Sequence, residues 1–258
     1  MNSYIVLGEI SNVIHSMRLN SKWDTRAKLT SSPLIKNLEQ LKQKIESLND
    51  RNLFRLDTME YLNPFLEVIK SNETSGPITA VALNAVHKFV TRQFLGPYCS
   101  NPAKGIRHVV TVVAHCRFEA TDQSSDEVVL IKILNLLLAC LLSPAGHLLT
   151  NKLVYDMIQT CFKMSIQTRL SVLLRRSAEM TLQEMVHCIF SRFYAQQDQE
   201  PEVVVPGTPV IQESEREVKR SESVQFRPLI AVSPTMTPLH TPMIPRRESE
   251  GGMDAGGS

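Results

Sequence analysis

Two histidine–cysteine pairs, His115-Cys116 and His187-Cys188, are the first candidates for nucleophilic chemistry in this sequence. A cysteine nucleophile needs a base within hydrogen-bonding reach, whereas adjacent residues on a helix point about 100 degrees apart. Both pairs therefore indicate ordinary core or surface positions. Asp126 and Glu127 could be considered as a proton-transferring pair, but adjacent acids at a helix start usually complement the helix dipole. No catalytic residue is predicted.

The spacing of the cysteines, histidines and glycines does not indicate a metal site, a disulfide or a nucleotide-binding site. The five cysteines are odd in number and widely spaced, they contain no CxxC pair, and no two histidines lie four residues apart. Such cysteines are typical of reduced core residues in a cytosolic protein. Neither GxGxxG nor GxxxxGK[ST] occurs, which argues against a dinucleotide site or a phosphate-binding loop. The sequence predicts no metal and no cofactor.

Composition narrows the class of protein. The formal net charge of +2 among 258 residues gives no general attraction for nucleic acid, and the apolar fraction of 43% is close to that of an ordinary soluble globular protein. The N-terminal MNSYIVLGEIS lacks a basic start and a long apolar run, so no secretory signal is predicted. We therefore expect a cytoplasmic protein.

The most apolar stretch, VVLIKILNLLLACLL, covers residues 128–142, and thirteen of its fifteen residues are apolar. A membrane span needs about 18 or more apolar residues, so no transmembrane segment is predicted. A helix that is apolar nearly all round is buried by neighbours on several sides. Ser125 supplies a candidate cap for it, and Asp126 and Glu127 lie where the helix dipole favours acids. This helix is predicted to be central to the core.

Amphipathic helical patterns occupy the remainder of residues 1–197, and no strand pair is credible. The predicted helices cover 4–19, 33–48, a segment with Pro64 in its first turn, 77–94, 102–118, 150–165 and 178–193. Capping side chains are expected at the prolines that begin three elements, namely Ser75, Asn101 and Ser143. The last helix carries an apolar stripe predicted to be unbroken: Leu182, Met185, Val186, Ile189, Phe190 and Phe193.

Helices of this length in succession predict an all-α fold, an armadillo/HEAT-like helical solenoid, with an irregular bundle as the alternative. After Gln197 the composition changes, because 198–258 holds eight of the fourteen prolines and five of the ten glycines. We expect a disordered linker or tail there. Four residues precede proline and are possible phosphorylation sites: Thr208, Ser233, Thr237 and Thr241.

Three blocks of sequence carry a resemblance to a known family. They are GPITAVALNAVHKF (76–89), SSDEVVLIKILNLLLACLLSPAGHLLTN (124–151) and RLSVLLRRSAEMTLQEMVHCIFSRF (169–193). In this order they resemble the N-terminal dimerisation and cyclophilin-binding (DCB) domain of the large Arf guanine-nucleotide exchange factors. The resemblance is stronger to the Golgi members of the family than to its trans-Golgi members. The resemblance covers roughly residues 3–195.

This resemblance implies an armadillo-like domain that associates with itself, as a homodimer or a larger assembly. It also implies contact with a downstream helical regulatory region, with cyclophilin-type or Golgi membrane partners, and a peripheral location at Golgi membranes. In the family, exchange is catalysed by a separate domain with an FRxPGEAQ-like motif. In this chain, the segment Phe226-Arg227-Pro228-Leu229 shares only the beginning of that motif. The chain is therefore expected not to be an enzyme on its own.

Lys88 and Glu127 are the candidate self-association residues, because both lie in blocks that resemble the self-pairing domain. Lys88 stands on a polar strip of an otherwise apolar helix, and Glu127 is expected at the exposed start of the central helix. Opposite charges at these positions could meet across a two-fold interface. The alternative is a solvated lysine and a dipole-complementing glutamate. For the whole chain, the alternative function is a stand-alone α-solenoid adaptor for a peptide or membrane-associated partner.

Overall fold

Eight α-helices make up most of the computed structural model, which describes residues 3–19, 32–48, 52–117 and 123–197. The α-helices are α1 (Ser3–Leu19), α2 (Pro33–Glu46), α3 (Thr58–Lys70), α4 (Gly76–Thr91), α5 (Pro102–Ala114), α6 (Gln123–Leu142), α7 (Asn151–Ile166) and α8 (Val172–Gln197). Two 3-10 helices, Leu53–Arg55 and Pro144–Leu148, join them. No strand occurs within these described ranges, and the all-α prediction is confirmed. Residues 198–258, with Thr208, Ser233, Thr237 and Thr241, lie outside them.

The helices stack in two layers. In the first layer α1 packs against α4, α4 against α6, and α6 against α8. In the second layer α2 packs against α3, α3 against α5, and α5 against α7. Each helix also contacts at least one helix of the other layer. Helix pairs stacked in this way form an armadillo/HEAT-like solenoid, as predicted.

Helix α6 is central, because it contacts α4 and α8 in its own layer and α5 and α7 in the other. Leu134, Leu136 and Leu137 have no exposed surface. Its outer face is nevertheless open, with Val128 49% and Leu142 54% exposed. A helix in a two-layer stack has no neighbour on its outer side, so it is buried on three sides rather than all round. Among the described residues, no helix is long and apolar enough to span a bilayer.

Several predicted helix starts were wrong in detail. Pro64 lies inside α3, which begins six residues earlier because Asp57 caps it by accepting a hydrogen bond from the Met59 N–H at 2.8 Å. The prolines after Ser75, Asn101 and Ser143 do start helical elements, but none of these three side chains makes a capping bond. Asn101 instead donates to the Asp57 carboxylate at 2.6 Å and Ser143 donates to the Cys140 carbonyl at 2.8 Å.

The residues of the apolar stripe of α8 differ in their burial. Met185 is fully buried, whereas Val186, Phe190 and Phe193 are 38%, 55% and 52% exposed. The helix is also longer than predicted, since it begins at Val172. α8 ends its layer and therefore has a neighbouring helix of that layer on one side, α6. The apolar residues on its other side face solvent.

Candidate self-association surface

Lys88, on α4, forms an ion pair with Glu9 on α1. Its Nζ donates to Glu9 Oε1 at 2.6 Å, and the exposed fractions of the two side chains are 39% and 8%. A nearly buried carboxylate needs such a partner, because an unpaired charge inside a protein is costly. Lys88 is thus not simply the solvated side of its helix: it joins two helices of the first layer and keeps part of its side chain in solvent.

Glu127, on α6, is also occupied within the chain. Its Oε1 accepts a hydrogen bond at 2.7 Å from the backbone N–H of Ser171, directly before α8. Because α6 begins at Gln123, Glu127 follows the first turn and is half-buried. The expectation of an exposed helix start at Glu127 was therefore wrong, and so was that of a cap at Ser125, which lies inside the helix. The carboxylate fixes the α7–α8 connection against the central helix.

The structure does not bring Lys88 and Glu127 together. Lys88 reaches from α4 toward α1, whereas Glu127 reaches from α6 toward the start of α8. The two helices are neighbours in the first layer, so both residues belong to that layer. A contact between Lys88 and Glu127 would have to join two copies of the chain. Their role in self-association stays a prediction.

The open side of the first layer combines apolar and basic residues. Val128 and Leu142 on α6 are about half exposed, and Lys132 is partly exposed between them. His87 on α4 lies close enough to be affected, because burial and the Lys132 charge together lower the pKa of His87 below its usual range. His87 is therefore neutral at pH 7. This side of the layer offers apolar contact area with few charges that would oppose burial.

Both histidines considered for catalysis are exposed, and the cysteine that follows each of them is half-buried. His115 Nδ1 lies 2.9 Å from the Thr111 carbonyl oxygen and its ring is exposed. Burial raises the pKa of the neighbouring Cys116 thiol to about 12, so the thiolate is essentially absent at neutral pH. His187 is likewise exposed on α8. Within the described ranges no three His, Cys, Asp or Glu residues form a group that could hold a metal ion.

Sequence reasoning missed Glu9 as the partner of Lys88. The signal was present, since Glu9 stands between Val6, Ile10 and Val13, on the edge of the face that α1 buries. A carboxylate at such a position predicts a basic partner on a packed helix. The sequence does not say which of its lysines and arginines provides it.

Comparison with known proteins adds three findings. The sequence profile of a family described as Mon2/Sec7/BIG1-like, dimerisation and cyclophilin-binding domain, matches residues 6–197. A Caenorhabditis elegans Golgi-specific brefeldin A-resistance guanine nucleotide exchange factor 1 homolog is 34% identical over 230 residues, 86% of this chain and 12% of that protein. The ARF guanine-nucleotide exchange factor GNOM of Arabidopsis thaliana is 39% identical over 188 residues, 71% of this chain and 13% of that protein. The chain thus spans about one eighth of the length of these relatives.

Proposed function

Because this chain belongs to the Mon2/Sec7/BIG1-like dimerisation and cyclophilin-binding domain family, we propose that it is a self-associating regulatory module of a large Arf guanine-nucleotide exchange factor. The printed names of its relatives, a Golgi-specific factor among them, support a role in Golgi vesicle transport and a peripheral location at Golgi membranes. Release of nucleotide from the Arf GTPase is assigned to another part of such a protein. The single observation that carries the proposal is the family match over residues 6–197.

The first layer supports self-association in physical terms. It leaves Val128 and Leu142 about half exposed, and Lys88 still has 39% of its side chain in solvent. In a two-fold dimer every contact occurs twice, so a modest apolar patch with one charged pair on each side has a doubled effect. We assign Lys88 and Glu127 to this interface.

The C-terminal end of the stack supports a second contact, with a downstream helical region of the same exchange factor. α8 ends its layer and exposes Phe190 and Phe193 by 55% and 52%. Solenoids bury such faces by adding further helices.

We further propose that 1–197 is the folded unit, that 198–258 is a disordered linker, and that Thr208, Ser233, Thr237 and Thr241 can be phosphorylated within it.

Simultaneous replacement of Lys88 and Glu127 by alanine should lower the mass of the assembly measured by light scattering at low micromolar concentration. The variant removes both partners of the proposed pair, and an exposed pair contributes about 0–1 kcal/mol at each of its two occurrences in the dimer. Because Lys88 also holds Glu9, the variant should melt somewhat below the parent while keeping its helix content.

Glu9→Gln is the matched control, because it neutralises the intramolecular partner and leaves Lys88 in place. We expect this variant to keep the parent's mass. An unchanged mass for the double alanine variant would show that the protein uses another interface. A lower mass for Glu9→Gln alone would show that the α1–α4 contact, rather than Lys88 itself, supports assembly.

A further inference from the structure

The outer side of the second layer carries basic residues along α5, of which Lys104 and Arg107 are charged at pH 7. No aspartate or glutamate occurs from residue 102 to residue 117. The helix buries Ile106, Val109, Val110 and Val113, and its opposite side presents four basic residues that we call the basic stripe: Lys104, Arg107, His108 and His115. Their spacing of three, four and seven residues places them on one face of the helix.

The basic stripe has few neutralising partners among the described residues, in contrast to three cations elsewhere in the chain. Lys44, Lys88 and Arg176 each pair with a glutamate within 3.1 Å. In the described structure no carboxylate lies within ion-pair distance of Lys104, and Arg107 donates through Nε to the Leu148 carbonyl at 2.8 Å..

Charged side chains near the basic stripe shift the pKa of His108 and of Asp57. Burial, Lys70 and Lys104 lower the pKa of His108, and Glu67 opposes them; Lys104 in turn helps to lower the pKa of Asp57. Glu67 and Asp57 are thus the acids that act on this region. Their negative charges lower the electrostatic potential around His108 and Lys104 without forming ion pairs with them.

Helix α7, which packs beside α5, adds apolar side chains to the same side of the molecule. Its Met157 and Cys161 are buried, and Cys161 Sγ lies 3.8 Å from Met185 Sδ on α8 in the first layer. The opposite face of α7 is exposed and forms what we call the apolar ridge, with a lysine near each end: Lys152, Tyr155, Phe162, Lys163 and Ile166. Tyr155, Phe162 and Ile166 are 61%, 51% and 59% exposed.

We propose that the basic stripe and the apolar ridge together dock the domain on an anionic lipid bilayer. Aromatic and aliphatic side chains enter the headgroup region, while lysine and arginine remain with the phosphates, and this combination is typical of interfacial membrane contact. An acidic peptide would be expected to need a groove between helices. The recess on the stripe is shallow instead, lined by residues 101–111 of the α5 region alone. Asp156 is the acid of α7, and it is half-buried.

Sedimentation with phosphatidylcholine vesicles, with and without phosphatidylserine, tests the proposal on the full chain. The parent should bind the phosphatidylserine vesicles more strongly and lose part of this binding at high salt. Lys104→Glu with Lys152→Glu should lower the partition constant by at least about thirtyfold, from the loss of two cations near the surface. Tyr155→Ser with Phe162→Ser should lower the part of the binding that survives high salt.

Lys36→Glu with Arg92→Glu is the matched control, because both residues are exposed elsewhere and the change in net charge is the same. It should bind as the parent does. Equal binding by the two charge-reversed variants would overturn the proposal. So would a parent protein that shows no preference for the phosphatidylserine vesicles, whether or not it binds polyglutamate. The Lys104→Glu/Lys152→Glu variant should keep the parent's mass in light scattering, so a failure here is distinct from a failure of self-association.

Discussion

Leu137→Asp should prevent residues 3–197 from folding cooperatively. Leu137 has no exposed surface and lies on the helix that contacts α4, α5, α7 and α8. An ionised carboxylate buried there without a partner costs several kcal/mol or must bind a proton, and a domain of ordinary stability has only about 5–15 kcal/mol available. Circular dichroism during heating should show loss of the cooperative transition, and soluble yield should fall sharply.

Asn135→Asp is the control for this change. It places the same carboxylate on the same helix only two residues away, but at an exposed position. Surface substitutions of this kind usually alter stability by less than about 0.5 kcal/mol, so the variant should melt close to the parent. A soluble Leu137→Asp protein with the parent's melting curve would contradict the central position of α6.

Gly146→Ala should lower the melting temperature by about 2–12 °C, since overpacking costs about 1–3 kcal/mol and each kcal/mol shifts a domain of this size by about 2–4 °C. Gly146 lies in the 3-10 helix that connects α6 to α7. A Cβ atom there would lie 2.1 Å from the Leu141 carbonyl oxygen and 2.9 Å from that of Cys140. Both atoms belong to the backbone at the end of α6, so the connection itself would have to open.

Gly8→Ala provides the matched control. Gly8 lies within α1, and a Cβ atom added there would meet nothing within 4 Å. Alanine is favoured over glycine in a helix by about 0.5–1 kcal/mol, so this variant should melt at or above the parent's temperature. If Gly146→Ala melted as high as Gly8→Ala, the connection between α6 and α7 would be less tightly packed than the structure shows.

Most helices could be predicted from local periodicity, because apolar spacing and proline positions act within a few turns. The α4 pattern and the apolar run of α6 located two first-layer helices closely, and the burial of Leu137 followed from the latter. Pro64 misled the prediction because a helix start was inferred from proline alone. The Asp57 side chain, which accepts from Met59, determined the actual start.

Contacts between distant segments could not be predicted in this way. Glu9 and Lys88 are 79 positions apart, and Glu127 and Ser171 are 44 apart. Which helix is the neighbour of another depends on the sum of many packing contacts across the two layers. For the same reason the pattern of α8 predicted an apolar stripe but not which part of it is buried, because the pattern does not indicate that α8 is the last helix of its layer.

Sedimentation equilibrium of the unmodified chain tests the central claim, self-association, most directly. The mass of one chain is 29.1 kDa. If the chain associates with itself, the weight-average mass should rise with concentration in the micromolar range to twice that value or more, because a contact between chains obeys mass action. A mass that stays at 29.1 kDa across this range would contradict it.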